Sequence, residues 1–130
     1  MLNVKKTLTK IMDALKVDYI VEQGTSGIWT YRKWNSGISE CWGVYTASSK
    51  TYSAHSGQSF NPTLPSGLFN TTSTMVVIAT GRIDGVGASG IGFTAINNTT
   101  QLQIWLVNFT ASSQSNKTGA IYIHVKGKWK

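Results

Sequence analysis

The chain has one cysteine, Cys41, in 130 residues, so no intramolecular disulfide can form and nothing in the fold depends on an oxidising compartment. Carboxylates are nearly as scarce. Cleaving a glycosidic bond usually takes two of them held about 5 to 10 Å apart, and the whole supply is Asp13, Asp18, Glu22, Glu40 and Asp84. Asp18 and Glu22 share one strand-like run at a separation of roughly 13 Å, and Glu40, if paired with Arg32, becomes a poor general acid. No catalytic pair is legible, and the chain is not expected to be an enzyme. The histidines, His55 and His124, fit no HxH or HExxH pattern and are too few to make a metal site with one cysteine, so neither metal nor cofactor is expected. Long apolar runs are missing as well. Near the N-terminus the apolar residues are interleaved with Thr, Asp and Lys, which leaves no secretion signal and no membrane-inserting span; synthesis and folding in the cytoplasm are expected.

What is present suits a folded β protein. Aromatics make up 11% and hydrophobics 41%, against 13% charged residues and abundant Ser, Thr, Gly and Asn. The length allows a single core. The net charge of +7 is concentrated at the ends, with Lys5, Lys6, Lys10 and Lys16 at one and Lys126, Lys128 and Lys130 at the other. Such ends can attract nucleic acid or anionic polymers, but the plainer reading is that they keep a low-charge β protein soluble.

Val4, Leu8, Ile11 and Leu15, with Met1 one step earlier, follow the a/d spacing of a heptad seam and predict a helix of about four turns. Unbranched residues at a and β-branched ones at d disfavour two-stranded coils and lean to three or more. The alternative is a surface helix packed on its own domain. The expected division is 1–16 as an oligomerisation helix and 17–130 as a β head. Beyond the run Val17 to Glu22, strands are predicted at Ile28 to Trp34, Ile38 to Thr46, Thr51 to Ala54, Thr74 to Thr80, Ile91 to Ile96, Leu102 to Phe109 and Ala120 to Val125. Turn clusters separate them at Ser48-Ser49-Lys50, Asn61-Pro62, Pro65-Ser66-Gly67, Asp84-Gly85, Asn97-Asn98 and Ser112 to Lys117. This pattern predicts an antiparallel β-sandwich of jelly-roll type.

Gly85-Val86-Gly87-Ala88-Ser89-Gly90 matches a dinucleotide-binding pattern by letter, but the following Ile91 to Ile96 alternates like a strand, and that motif needs a helix there. An inter-strand loop, able to rim a ligand site, is expected instead. Cys41 lies mid-strand and reads as a buried small residue. In the first hairpin, a three-residue loop Asn35-Ser36-Gly37 with Gly37 left-handed places Trp34 opposite Ile38, Arg32 opposite Glu40 and Thr30 opposite Trp42. Trp29, Tyr31, Cys41 and Tyr45 then share the other face. Aromatic faces stack on sugars, and Trp29, Tyr31, Tyr45, Tyr52, His55 and Asp84 are the candidate ligand-binding residues. Trp34, Trp42 and Trp105 are assigned to packing or a subunit interface.

The run from Trp29 to Gly43, Trp-Thr-Tyr-Arg-Lys-Trp-Asn-Ser-Gly-Ile-Ser-Glu-Cys-Trp-Gly, resembles the C-terminal domains of tail-fibre and receptor-binding proteins in phages and prophages of Gram-positive gut bacteria. The resemblance extends to the closing strand Ile121 to Trp129. It implies a β-sandwich head at a virion fibre tip, usually trimeric, that contacts the bacterial surface. The expected partners are a cell-surface glycan and two further copies of the chain. The alternative is a basic structural virion protein that binds nucleic acid, which would need aromatics interleaved with basic residues on one face, as only Trp29 to Trp34 offers.

Overall fold

The computed structural model describes residues 3–15 and 17–130. Helix α1 spans Val4–Ala14 and starts where extended Asn3 accepts a hydrogen bond from the Lys6 amide at 3.0 Å, satisfying one of the free N–H groups of a first turn. None of its residues is buried, so the apolar stripe of Val4, Leu8, Ile11 and Leu15 faces water in the single chain. Met1, the fifth residue of the expected seam, lies outside the described residues. The end of the helix is tied to the first hairpin. Asp13 accepts from the Tyr19 hydroxyl at 3.1 Å and from the Asn35 side-chain amide at 3.2 Å. Asp18 accepts from the Ser36 hydroxyl at 2.6 Å and the Ser36 amide at 2.9 Å, bonds that hold its carboxyl below the ordinary value.

Strands β1 (Ile20–Ser26), β2 (Trp29–Trp34), β3 (Ile38–Tyr52), β4 (Ser56–Phe60), β5 (Val76–Ile83), β6 (Ser89–Asn98), β7 (Gln101–Asn108) and β8 (Gln114–Lys128) follow in chain order. They form two antiparallel sheets, ordered β1-β2-β3-β8-β5 and β4-β7-β6. This is the predicted sandwich. Expected and observed elements differ most at three places. Ser48-Ser49-Lys50 is an irregularity within β3 and not a turn, because β8 is equally long and pairs along it from Ile38↔Lys128 to Tyr52↔Gln114. The expected turn at 112–117 contains the start of β8, where Asn116 takes a positive φ of 54°. Ser-Gly-Gln-Ser has no apolar alternation and predicts no strand; pairing with β7 makes β4 one.

The first hairpin has the predicted register. Gly37 has φ of 99°, its amide donates to the Trp34 carbonyl at 3.0 Å, and Arg32 pairs with Glu40 and Thr30 with Trp42. Continuing Lys33↔Ser39 by one step sets Trp34 opposite Ile38. The charge pair between Arg32 and Glu40 does not form. Glu40 instead meets His124 Nε2 at 3.0 Å, and the Arg32 guanidinium lies over the Trp42 ring at 5.0 Å.

The core lies between the sheets. Cys41, Ile121, Ile123 and Val125 enter from one side and Leu102, Ile104 and Leu106 from the other, while Phe60, Leu64, Leu68, Phe69 and Met75 seal the rim. Burial, with a lesser contribution from the Glu40 charge, pushes the Cys41 thiol up to about 12. We therefore expect iodoacetamide at pH 8 to label Cys41 only after denaturation. Rapid labelling of the native protein would show that the sheets open locally.

Candidate functional site

Two of the six expected ligand-binding residues are inside the protein. Trp29 is buried, and its indole N–H donates to the Thr63 carbonyl at 2.6 Å. Tyr52 is 0% exposed. Both belong to the core face, which corrects the expectation that they are exposed. Tyr31 and Tyr45 are half-buried against the same core, with Tyr45 tilted on Phe60 at 5.9 Å. His55 is exposed in the turn after β3, in the left-handed region at φ 53°. Asp84 accepts from the Thr118 hydroxyl at 2.7 Å and from Arg82 Nε at 3.1 Å, which clamps the β5–β6 turn to β8. Among the six, only Trp29 and Tyr45 come together, beside Asn61, Pro65 and Ser66 at a depression of about 620 Å³.

The structure exposes other aromatics. On the outer face of the five-stranded sheet, Trp42 packs edge-on to His124 at 6.3 Å. Arg82 lies over the Tyr122 ring and donates to its hydroxyl. Trp42, Val44, Ile78, Thr80, Tyr122 and His124 line an open apolar depression of about 340 Å³, in which Ile78 is 63% exposed. On the outer face of the three-stranded sheet, Phe93 stacks on Trp105. The sequence reading missed both faces for one reason. Alternation separates the two sides of a strand but does not say which side another sheet will cover.

The carboxylates have partners of their own. Glu22 pairs with Lys33 at 3.0 Å, Glu40 with His124, Asp84 with Arg82, and Asp13 and Asp18 bond the first hairpin. Among the described residues no three His, Cys, Asp or Glu side chains are placed to hold a metal ion.

No protein-family model matches the sequence, and no curated protein matches it. Solved structures do match. An N-truncated R1-type pyocin tail fibre superposes with a TM-score of 0.61 at 12% identity, covering 92% of this chain and 94% of that one. The fold is that of a pyocin tail fibre. A longer P. aeruginosa R1 pyocin fibre fragment, residues 323–701, matches with a TM-score of 0.56 at 11% identity over 90% of this chain and 30% of that one. At this identity the likeness is one of architecture, covering nine-tenths of this chain.

Proposed function

We propose that this chain is the tip domain of a phage or prophage tail fibre, which attaches the virion to cell-surface carbohydrate of a Gram-positive gut bacterium, as a homotrimer and without cleaving the sugar. The observation that carries this reading is the shared fold, which spans 92% of this chain and 94% of a tail-fibre fragment. The uncovered apolar stripe of α1 supports the trimer, as do the exposed Val44, Val76 and Ile78 on the five-stranded sheet, because subunit contact would remove both surfaces from water. Binding without cleavage is supported by the separate engagement of all the carboxylates.

Neutral contacts should dominate attachment, since the lysines gather at the chain ends. Raising salt from about 50 to 200 mM should weaken attachment to bacterial cells only slightly, whereas a protein making six or more phosphate contacts would lose about a thousandfold in affinity. Cell pull-down at the two salt concentrations, with DNA as the competing ligand, measures this. Steeply salt-dependent DNA binding without cell attachment would favour a nucleic-acid-binding virion protein.

A further inference from the structure

Phe93 of β6 and Trp105 of β7 pair directly on the outer face of the three-stranded sheet. Their ring centroids are 5.7 Å apart and their planes 22° from parallel, and Phe93 is 50% exposed. Ser59 of β4 faces Trp105 from the other side, so one row across the sheet reads Ser59, Trp105, Phe93. Gly57, Val107 and Gly90 make the next row, and Gln103 opposite Ala95 lies on the opposite flank. These rows stay low. A Cβ at Gly57 or at Gly92 would come within 2.9 or 2.5 Å of a Val107 methyl, so the glycines let Val107 lie across the strands beside Trp105. The outcome is a two-ring aromatic surface with an amide and a hydroxyl at its edges.

Charge selects the occupant. Strands β4, β6 and β7 contain no Asp, Glu, Lys or Arg, and none occurs between Gly85 and Asn116, although the chain as a whole carries +7. A phosphate or carboxylate polymer would find no cation here to replace its lost hydration. An uncharged sugar fits the charge of the surface. The C–H face of a pyranose packs on aromatic rings, and its hydroxyls can bond the Gln103 amide and the Ser59 hydroxyl. The indole N–H groups of Trp29 and Trp129 donate to the Thr63 and Trp34 carbonyls, whereas that of Trp105 meets no partner among the described residues. That N–H is closed off from solvent and Trp105 is half-buried, so the residue offers a sugar its ring face beside Phe93 and no hydrogen bond.

We infer that the Phe93–Trp105 stack is a binding platform for neutral hexopyranose units of a surface polysaccharide. It rests on the attachment reading above, to which it adds the place of the sugar and its lack of charge. The test compares the intact protein with Phe93→Ala and Phe93→Tyr, by pull-down with bacterial cells and by retardation in native gels containing dextran, mannan, galactan or anionic polygalacturonate. Phe93→Ala should weaken cell attachment, and retention by any neutral polymer that binds, about tenfold, the scale of one lost aromatic contact. Phe93→Tyr keeps the stack and should restore binding. The mass in solution should not change. Attachment that survives Phe93→Ala overturns the platform and leaves the attachment reading standing. A fall in mass in Phe93→Ala would make this face a subunit contact, and retention by polygalacturonate alone would exclude a neutral ligand; either overturns the inference. Failure of the intact protein to bind any cell or gel overturns both readings together.

Discussion

Leu8→Asp combined with Ile11→Asp is expected to convert the protein from an oligomer to a single 14.1 kDa chain by light scattering, with the β head intact by near-UV circular dichroism. The four seam residues are 71%, 55%, 51% and 69% exposed at Val4, Leu8, Ile11 and Leu15, so the head of their own chain does not cover them. Removing a Leu or Ile side chain from water contributes about 1.5 to 3 kcal/mol, and a seam multiplies that by the number of strands. Aspartates there would instead bring like charges together on the axis, each with a desolvation cost of several kcal/mol. The core residues all come from the strands and the loops between them, which is why the head should keep its fold. An unmodified protein that is already monomeric would end the trimer reading.

Asn108→Ala should be among the most destabilising single changes, lowering the unfolding free energy by about 3 kcal/mol or more in urea titration. Among the described residues, Asn108 is one of two polar residues that are buried. Its side-chain amide nitrogen donates to the carbonyls of Ser112 at 2.9 Å, Tyr52 at 3.2 Å and Ser53 at 3.3 Å. Its oxygen accepts from the Thr110 amide at 2.9 Å and the Thr110 hydroxyl at 2.7 Å. One side chain thereby fastens the end of β3 to the β7–β8 connection. Alanine would take this partner from the Tyr52 carbonyl and the Thr110 amide beside a fully buried position, where each unsatisfied group costs about 1 to 3 kcal/mol, while the Ser53 and Ser112 carbonyls keep the Ser56 amide and the Thr110 hydroxyl. Asn108→Asp should fail similarly, because an ionised carboxylate donates nothing to the three carbonyls. A variant with an unchanged urea midpoint would mean that water enters and replaces the amide.

Much of this architecture is readable along the chain. Asn35-Ser36-Gly37 dictates the register of the first hairpin, because Gly37 supplies the positive φ that closes the loop. Alternation then puts Trp29, Tyr31, Cys41 and Tyr45 on one face and Arg32, Glu40 and Trp42 on the other. The spacing of Val4, Leu8, Ile11 and Leu15 predicts the helix, and Ile121, Ile123 and Val125 predict strand β8. All of this is local periodicity or turn chemistry, which neighbouring residues specify by themselves.

Tertiary structure alone decided which face of the hairpin is inside. Period two sorts side chains into two sets without naming the buried one, and that choice depends on where β4, β7 and β6 lie. Strand β4 owes its form to β7 and was invisible without it. The second sheet turns Trp29 and Tyr52 inward and leaves Trp42, Tyr122 and Phe93 outside. The partner of Glu40 is His124, 84 positions away, because β8 inserts beside β3 and brings a residue within reach that the hairpin register could not reveal.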